Sequence, residues 1–464
     1  VTDADNLKIL AFIPSIFVMI EVISASGGFL GIIRWLLRWV KGPKSAQAAT
    51  AAMGVVCFID DYTNAIVVGS MMQPITDRFK VSREKLAFIV DATSAPVAGL
   101  AVVSTWIAYE AGVFGGIAKK LVIDKSGYAM FFDALQYRFY CVLMLVFVFV
   151  HILMGRDFGP MRRAERQARS GGDKGGTPAG DSARAASGQA SGRALNALVP
   201  LGGLIVFHIT GLWLDGGGPG LLREGGSALS WVYWRDVISG AGNSTVILTC
   251  SALFGLGLAL LCGRVSGSLE MRAVGGCVRR GLKRAAIPFV ILILAWSLKS
   301  SCDALGTGEF LTGILAERVS RMWFPAIVFL VACLTSFSTG TSYGTMAILI
   351  PTAIPVAFVL DGGGYGTTTM ICLGAVLDGA IFGDHCSPIS DTTIISSMAS
   401  SCDLMRHVQT QLPYSVMVAG VALSLAYIPS GFGLSPGWGI LMGVAAILCF
   451  LAVLGRGERK VAAL

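Results

Sequence analysis

Charge is scarce in this sequence. Aspartate, glutamate, lysine and arginine make up 14% of its 464 residues, where an ordinary soluble domain carries about 25%. Hydrophobic residues account for 54%, and the mean hydropathy is +0.70. This composition excludes a soluble globular protein and gives an all-α polytopic membrane protein. The net charge of +8 is concentrated between apolar segments, so it reports orientation under the positive-inside rule and excludes a nucleic-acid partner. The eleven cysteines include no CxxC or metal-finger spacing, and Cys141, Cys250, Cys333, Cys372 and Cys449 lie in apolar runs. Free buried thiols are therefore expected, with no transition metal and no cofactor. A basic leader and a small-residue cleavage site are also missing around the first apolar run, Leu7–Ile23. That run reads as a span, not a signal peptide, and the start at Val1 reads as an N-terminal truncation.

Apolar runs of about 17–25 residues can cross a bilayer. They fall at about 7–24, 86–112, 137–154, 195–214, 237–262, 286–300, 367–400, 411–429 and 438–453. Two further stretches, 46–75 and 322–360, read as re-entrant hairpins with polar tips at Asp60–Asn64 and Ser338–Ser342. Nine crossings and two hairpins put five basic segments on one side: the Arg34–Lys44 loop, Asp77–Lys85, Arg156–Arg193, Arg264–Arg284 and Arg456–Lys460. The positive-inside rule makes that side cytoplasmic, while Lys119, Lys120 and Lys125 fall outside.

Residues 170–194 are Gly/Ala/Ser-rich without an apolar period, as in a flexible linker. They divide the chain into a first membrane repeat (1–154), a cytoplasmic linker (155–194), connecting helices with a basic cytoplasmic loop (195–285), a second repeat (286–429), and a final helix with a basic cytoplasmic tail (430–464). Each repeat runs span, re-entrant hairpin, Pro-broken helix, span. Pro96 and Pro388 break the two helices, and the second copy starts from the opposite side. Inverted repeats with interrupted helices point to the binding site of a secondary transporter.

The polar residues of these interruptions carry the chemistry. In the second half, Gly383-Asp384-His385-Cys386-Ser387-Pro388-Ile389-Ser390-Asp391-Thr392-Thr393 interrupts an apolar helix. Pro388 cannot donate an amide hydrogen and frees the carbonyl of Asp384. A carboxylate at bilayer depth costs about 2.5–3.5 kcal/mol even on lenient scales. Asp384, Ser387, Asp391 and Thr392, with Thr339, Thr341 and Ser342 of the hairpin tip, form an oxygen-rich set suited to Na+. In the first half the counterparts are Asp60, Asp61 and Asn64 facing Asp91, Thr93 and Ser94. The plainer reading makes these aspartates helix caps, or residues of a water-filled vestibule. His385 reads as polar lining. Glu21 is the deepest of the remaining acids, and Glu110, Lys299, Asp303 and Glu309 read as interface markers.

Four segments carry a family resemblance: Phe58-Ile59-Asp60-Asp61-Tyr62; Ser82–Ala87 through Asp91-Ala92-Thr93-Ser94-Ala95-Pro96-Val97; Thr339-Gly340-Thr341-Ser342-Tyr343-Gly344-Thr345; and Gly383–Thr393 followed by Gln409–Tyr414. Together they resemble the NhaC-type sodium/proton antiporters over nearly the whole chain. The resemblance implies a bacterial or archaeal inner-membrane antiporter that exports Na+ or Li+ against inward H+. It also implies two inverted repeats, elevator-like movement and, in full-length relatives, further spans before Val1. Other members of that family exchange malate for lactate or move amino acids, so a Na+/H+-coupled organic-acid or amino-acid exchanger is the alternative. The absence of lysine and arginine from both motifs favours a cation-only site, Lys299 being the nearest exception. An intramembrane aspartyl protease fits poorly, because Ile381 stands where its Gly-x-Gly-Asp pattern needs glycine. No enzymatic role is expected. The expected partners are Na+, Li+, H+ and lipid, with a homodimer left open.

Overall fold

The computed structural model describes residues 4–170, 193–306, 310, 313–314 and 318–457. The linker residues 171–192 and Glu309, and the side chains of Lys299 and Asp303, lie outside the described set. Helices dominate: α1 (Ala4–Ala25), α2 (Gly28–Leu37), α3 (Pro43–Val56), α4 (Asp61–Arg78), α5 (Arg83–Ala92), α6 (Ala95–Ala98), α7 (Thr105–Leu121), α8 (Gly127–Leu135), α9 (Phe139–Met154) and α10 (Gly159–Arg169) precede the linker. After it come α11 (Leu195–Asp215), α12 (Gly218–Arg223), α13 (Trp231–Gly240), α14 (Ser244–Val265) and α15 (Met271–Ala304). The chain continues with α16 (Phe324–Thr339), α17 (Ser342–Leu360), α18 (Thr367–Cys386), α19 (Asp391–Ala399), α20 (Leu404–Ala422) and α21 (Pro436–Val453). By length and composition, seven helices among the described residues can cross a membrane, and up to nine if two bent pairs each count as one span.

Helix pairs stand at both places where hairpins are expected, and the chain breaks at both expected interruptions, although α17 is by length and composition able to cross a membrane on its own. The first hairpin is α3–α4, joined at Cys57–Asp60, and the second is α16–α17, joined at Gly340–Thr341. The second half of the chain breaks between α18 and α19, and the first between α5, α6 and α7. Each restart is capped by a side chain in extended backbone: Asp60 accepts from the Thr63 amide, Ser104 from Ile107, Thr341 from Gly344 and Ser390 from Thr393. These caps satisfy amides that a helix buried in lipid could not otherwise leave open. At the second tip, Gly340 holds φ 67°, the left-handed conformation that ends α16.

The hairpins pack on the broken helices, α16 and α17 against α18, and α3 and α4 against α5; α19 then lies on α4 and α5 of the first half. Gly383 sets the closeness of the α16–α18 contact, since a Cβ there would stand 2.4 Å from the Phe337 amide nitrogen and 2.5 Å from Ser336 Cβ. Overpacking of this kind costs about 1–3 kcal/mol. Gly383→Ala should therefore lower the thermal aggregation midpoint of the detergent-solubilised protein. An unchanged midpoint would mean that the two helices separate freely.

The structure departs from the sequence expectation at several boundaries. The first tip lies one turn earlier, with Asp61–Asn64 already helical. The span expected at 86–112 is three helices, with a non-helical stretch from Gly99 to Ser104, because Pro96 starts a short helix and does not simply kink one. The 137–154 span begins earlier, as α8 bent 49° into α9. The 237–262 span is split between α13 and α14, and Arg34 lies within α2. Most of the basic stretch Arg264–Arg284 is the start of α15 and not a loop, and Arg280 and Arg284, one turn apart, both pair with Glu21 (2.7 and 3.0 Å).

Candidate cation site

Where the first hairpin tip faces the second helix break, three carboxylates lie within electrostatic reach of a fourth, Asp61. Asp60, Asp61 and Asp384 are buried, Asp391 is exposed, and Asp61 lies within electrostatic reach of the other three. Asp384 Oδ2 accepts from Ser342 Oγ (2.6 Å), and its Oδ1 accepts from the Ser390 hydroxyl. Ser390 is linked to Thr392 Oγ1 at 2.9 Å. Asp391 accepts from its neighbour's amide, Thr392 N–H (2.9 Å), and from the Tyr62 hydroxyl across the interface between the halves. Asp61 Oδ1 is buried and accepts no hydrogen bond among the described residues. None of the four carboxylates is in an ion pair among the described residues, although Arg284 lies within electrostatic reach of Asp60. The result is a concentration of negative charge and hydroxyl oxygen, open at Asp391 and closed at Asp61 and Asp384. Tyr62→Phe should remove one partner of Asp391 at an accessible position, a loss of about 1 kcal/mol or fivefold in apparent cation affinity. A cation titration of transport rate checks this.

Several of the expected ligands are used otherwise. Asp60 caps α4 through the Thr63 amide and hydroxyl (2.9 and 2.6 Å). The hydroxyls of Thr93 and Ser94 donate to Ile89 O and Asp91 O, and those of Thr339 and Ser387 to Thr335 O and Phe337 O. Thr341 is the cap of α17. Asn64 ties Gly54 O to Thr93 O (2.7 and 2.9 Å). Nor is the Asp384 carbonyl free: the Ser387 amide (3.3 Å) and the Thr393 hydroxyl (3.1 Å) both donate to it. Capping of α19 belongs to Ser390, so the cap role considered for Asp384 does not hold.

Asp91 belongs to a neighbouring cluster. Its Oδ2 accepts from Gln411 Nε2 (2.7 Å) and faces His407 Nε2 at 3.3 Å and His385 Nε2 at 3.9 Å, while Ser396 donates to Oδ1 (3.3 Å). His385 Nδ1 meets the Tyr140 hydroxyl at 2.9 Å. No group of three or more His, Cys, Asp or Glu side chains among the described residues is arranged to hold a metal ion.

A third constellation escaped the sequence reading. Arg138, Glu110 and Asp378 are all fully buried. Arg138 Nε donates to Asp378 Oδ1 (2.9 Å), and Asp378 Oδ2 accepts from the Tyr140 amide (2.6 Å) and the Tyr427 hydroxyl (2.7 Å). Glu110 stands 3.6 Å from Arg138 Nη1. Glu110 is therefore no interface marker, and a fixed cation does sit in the interior. The one signal available was Asp378, the single charge in the run from Ile371 to Phe382.

A helical bundle with two hairpins, two broken helices and a carboxylate cluster between them has the form of a transporter, and a profile of the Na+/H+ antiporter family matches residues 97–432. The chain belongs to the Na+/H+ antiporter family. The matched region of this antiporter contains Asp384 and Asp391, while Asp60, Asp61 and Asp91 precede it. It is 31% identical to an uncharacterized protein of Haemophilus influenzae over 98% of this chain and 83% of that one. It is 29% identical to the arginine/ornithine antiporter ArcD of Halobacterium salinarum over 49% of this chain and 40% of the relative. The malate-2H+/Na+-lactate antiporter of Bacillus subtilis is 33% identical over 33% of this chain and 31% of its own length. Among solved structures, the YdaH transporter of Alcanivorax borkumensis superposes with a TM-score of 0.60 at 15% identity, over 94% of this chain and 91% of that one, which shows a shared fold.

Proposed function

We propose that this antiporter exchanges Na+ or Li+ for H+ by alternating access, and that the cation is held between the two halves by Asp61, Asp384 and Asp391 with Ser342, Ser390 and Thr392. The observation that carries the reading is the buried Asp61, one of whose oxygens makes no hydrogen bond, with three further carboxylates in electrostatic reach and no ion-pair partner among the described residues. Such a group needs a cation or a proton in a medium of low dielectric, the alternation that exchange requires. In the present conformation the four carboxylates are not drawn together as a closed ligand set, so binding would have to bring them closer. Oxygen-only ligands suit a hard cation.

The two halves are inverted repeats in this reading, placed in a bacterial or archaeal inner membrane. Residues 155–194 and the C-terminus lie on the cytoplasmic side. The antiparallel pairing of Arg156–Asp157 with Arg456–Gly457 supports a common side for the linker's start and the tail.

The second reading is exchange of a carboxylate or amino acid, after the substrates named for two of the relatives. Arg138 is the feature in its favour, but Asp378 and Glu110 already outnumber its single charge. Inside-out vesicles loaded with a pH-sensitive dye and pulsed with Na+, Li+, K+, malate, lactate and arginine separate the two. Na+ and Li+ should dissipate an acid-inside gradient and K+ should not. A response to the organic solutes alone would end the Na+/H+ reading.

A further inference from the structure

The Arg138 constellation holds an imbalance that the cation site does not use. Asp378 is fully engaged, with one oxygen on Arg138 and the other on the Tyr140 amide and the Tyr427 hydroxyl. Glu110 is held more loosely. It is fully buried, both its carboxylate oxygens lack a hydrogen-bond partner, and its ion pair with Arg138 Nη1 spans 3.6 Å, with no hydrogen bond made by that nitrogen. One guanidinium between two carboxylates leaves a charge of −1, and a single proton on Glu110 makes the buried triad neutral. Buried charge without a matched partner is among the least favourable arrangements a protein interior offers.

The titratable and charged groups within electrostatic reach of Glu110 are Arg138 from the segment before α9, Asp378 from α18, Tyr343 from α17 and Tyr109 from its own helix. Tyr343 is the link to the cation site. It follows Ser342, the partner of Asp384, and lies within electrostatic reach of Asp60, Asp61 and Glu110 together. The Tyr109 hydroxyl donates to the Tyr343 carbonyl (2.7 Å), and the two rings pack with centroids 4.5 Å apart, fixing the second hairpin tip on α7.

We propose that Glu110 carries the exchanged proton, on a site separate from the cation-binding aspartates and joined to it through Tyr343. This rests on the Na+/H+ reading above. On the proton stroke the Glu110 carboxylate takes up one H+ and becomes the neutral acid. On the Na+ stroke that proton returns to water as the cation settles among Asp61, Asp384 and Asp391. Each event adds one positive charge to the same water-poor interior, and like charges there oppose one another, so the two sites fill alternately.

The test counts protons. Purified protein in weakly buffered detergent solution receives NaCl, and proton release is read with a pH indicator alongside equilibrium binding of radioactive Na+. The parent should release protons on Na+ addition. Glu110→Gln should release about one fewer per chain and lose the pH dependence of Na+ binding, with half-saturating Na+ at high pH within about threefold of the parent. Glu110→Asp should recover part of the release. An unchanged proton count and pH profile in Glu110→Gln would overturn the assignment. Should that variant not fold, the infrared difference spectrum of the parent with and without Na+ decides: a protonated-carboxyl band lost on Na+ addition should shift with carbon-13 glutamate. A band that shifts only with labelled aspartate removes Glu110 from the role. A parent that binds no Na+ and releases no proton brings down the exchange reading and this assignment with it.

Discussion

Asp384→Asn should abolish Na+-driven proton movement in inside-out vesicles. The substitution keeps the shape of the side chain and one acceptor oxygen but removes the charge. It also places an amide where the Ser342 and Ser390 hydroxyls both donate, so one of those hydroxyls loses its acceptor. With the cation bound, removing one side of a buried ion pair costs about 3–5 kcal/mol, more than about a hundredfold in apparent Na+ affinity. Raising Na+ by an order of magnitude should therefore not restore exchange. Because Asp384 caps no helix, the variant should remain monodisperse on size exclusion, which separates loss of the site from loss of the fold. Full dissipation of the gradient by Na+ in this variant would falsify the assignment.

Arg138→Met should have the largest effect on stability. The side chain is buried beside two buried acids, so its removal leaves Asp378 and Glu110 facing each other with no cation. Breaking a buried pair from one side costs about 3–5 kcal/mol, a large share of the net stability of most folds. Poor recovery of folded protein and a steep fall in its thermal aggregation midpoint are expected. Arg138→Met/Asp378→Asn should regain part of the loss, because the remaining orphaned charge is halved while Tyr427 still has an acceptor. A double-mutant cycle showing simple additivity would count against coupling between Arg138 and Asp378.

The contrast between these two sites explains what could be read from the sequence. Gly340–Thr341 and Ser387–Ser390 were legible because polar residues, glycine and proline interrupt long apolar runs. Lipid tolerates such interruptions only where the freed backbone finds partners. The pairing of Asp384 with Ser342 followed from placing one interruption against the other. Arg138 was not legible in this way, since it precedes an apolar run, where an arginine ordinarily anchors a helix at the membrane surface. The bend between α8 and α9 carries it into the interior, and its partners lie 28 residues before and 240 after it in the chain. The threonines and serines misled for a different reason. A short hydroxyl side chain reaches a carbonyl of its own helical turn before it reaches anything else, and Thr93, Ser94 and Thr339 all do so. The charge run before Pro288 read as a loop, although no residue from Met271 to Arg284 obliges a helix to stop.

Asp384 and His385 are consecutive residues on the last turn of α18, separated by about 100° around its axis. One side chain is fastened to the second hairpin through Ser342, while the other abuts Asp91 of α5. The turn therefore works like a cam with two followers. Any rotation that draws Asp384 away from Ser342 must also change how His385 meets the first half of the chain. The contact of Asp384 with the second hairpin and that of His385 with the first half of the chain are thus tied together by one short stretch of backbone, without a longer relay.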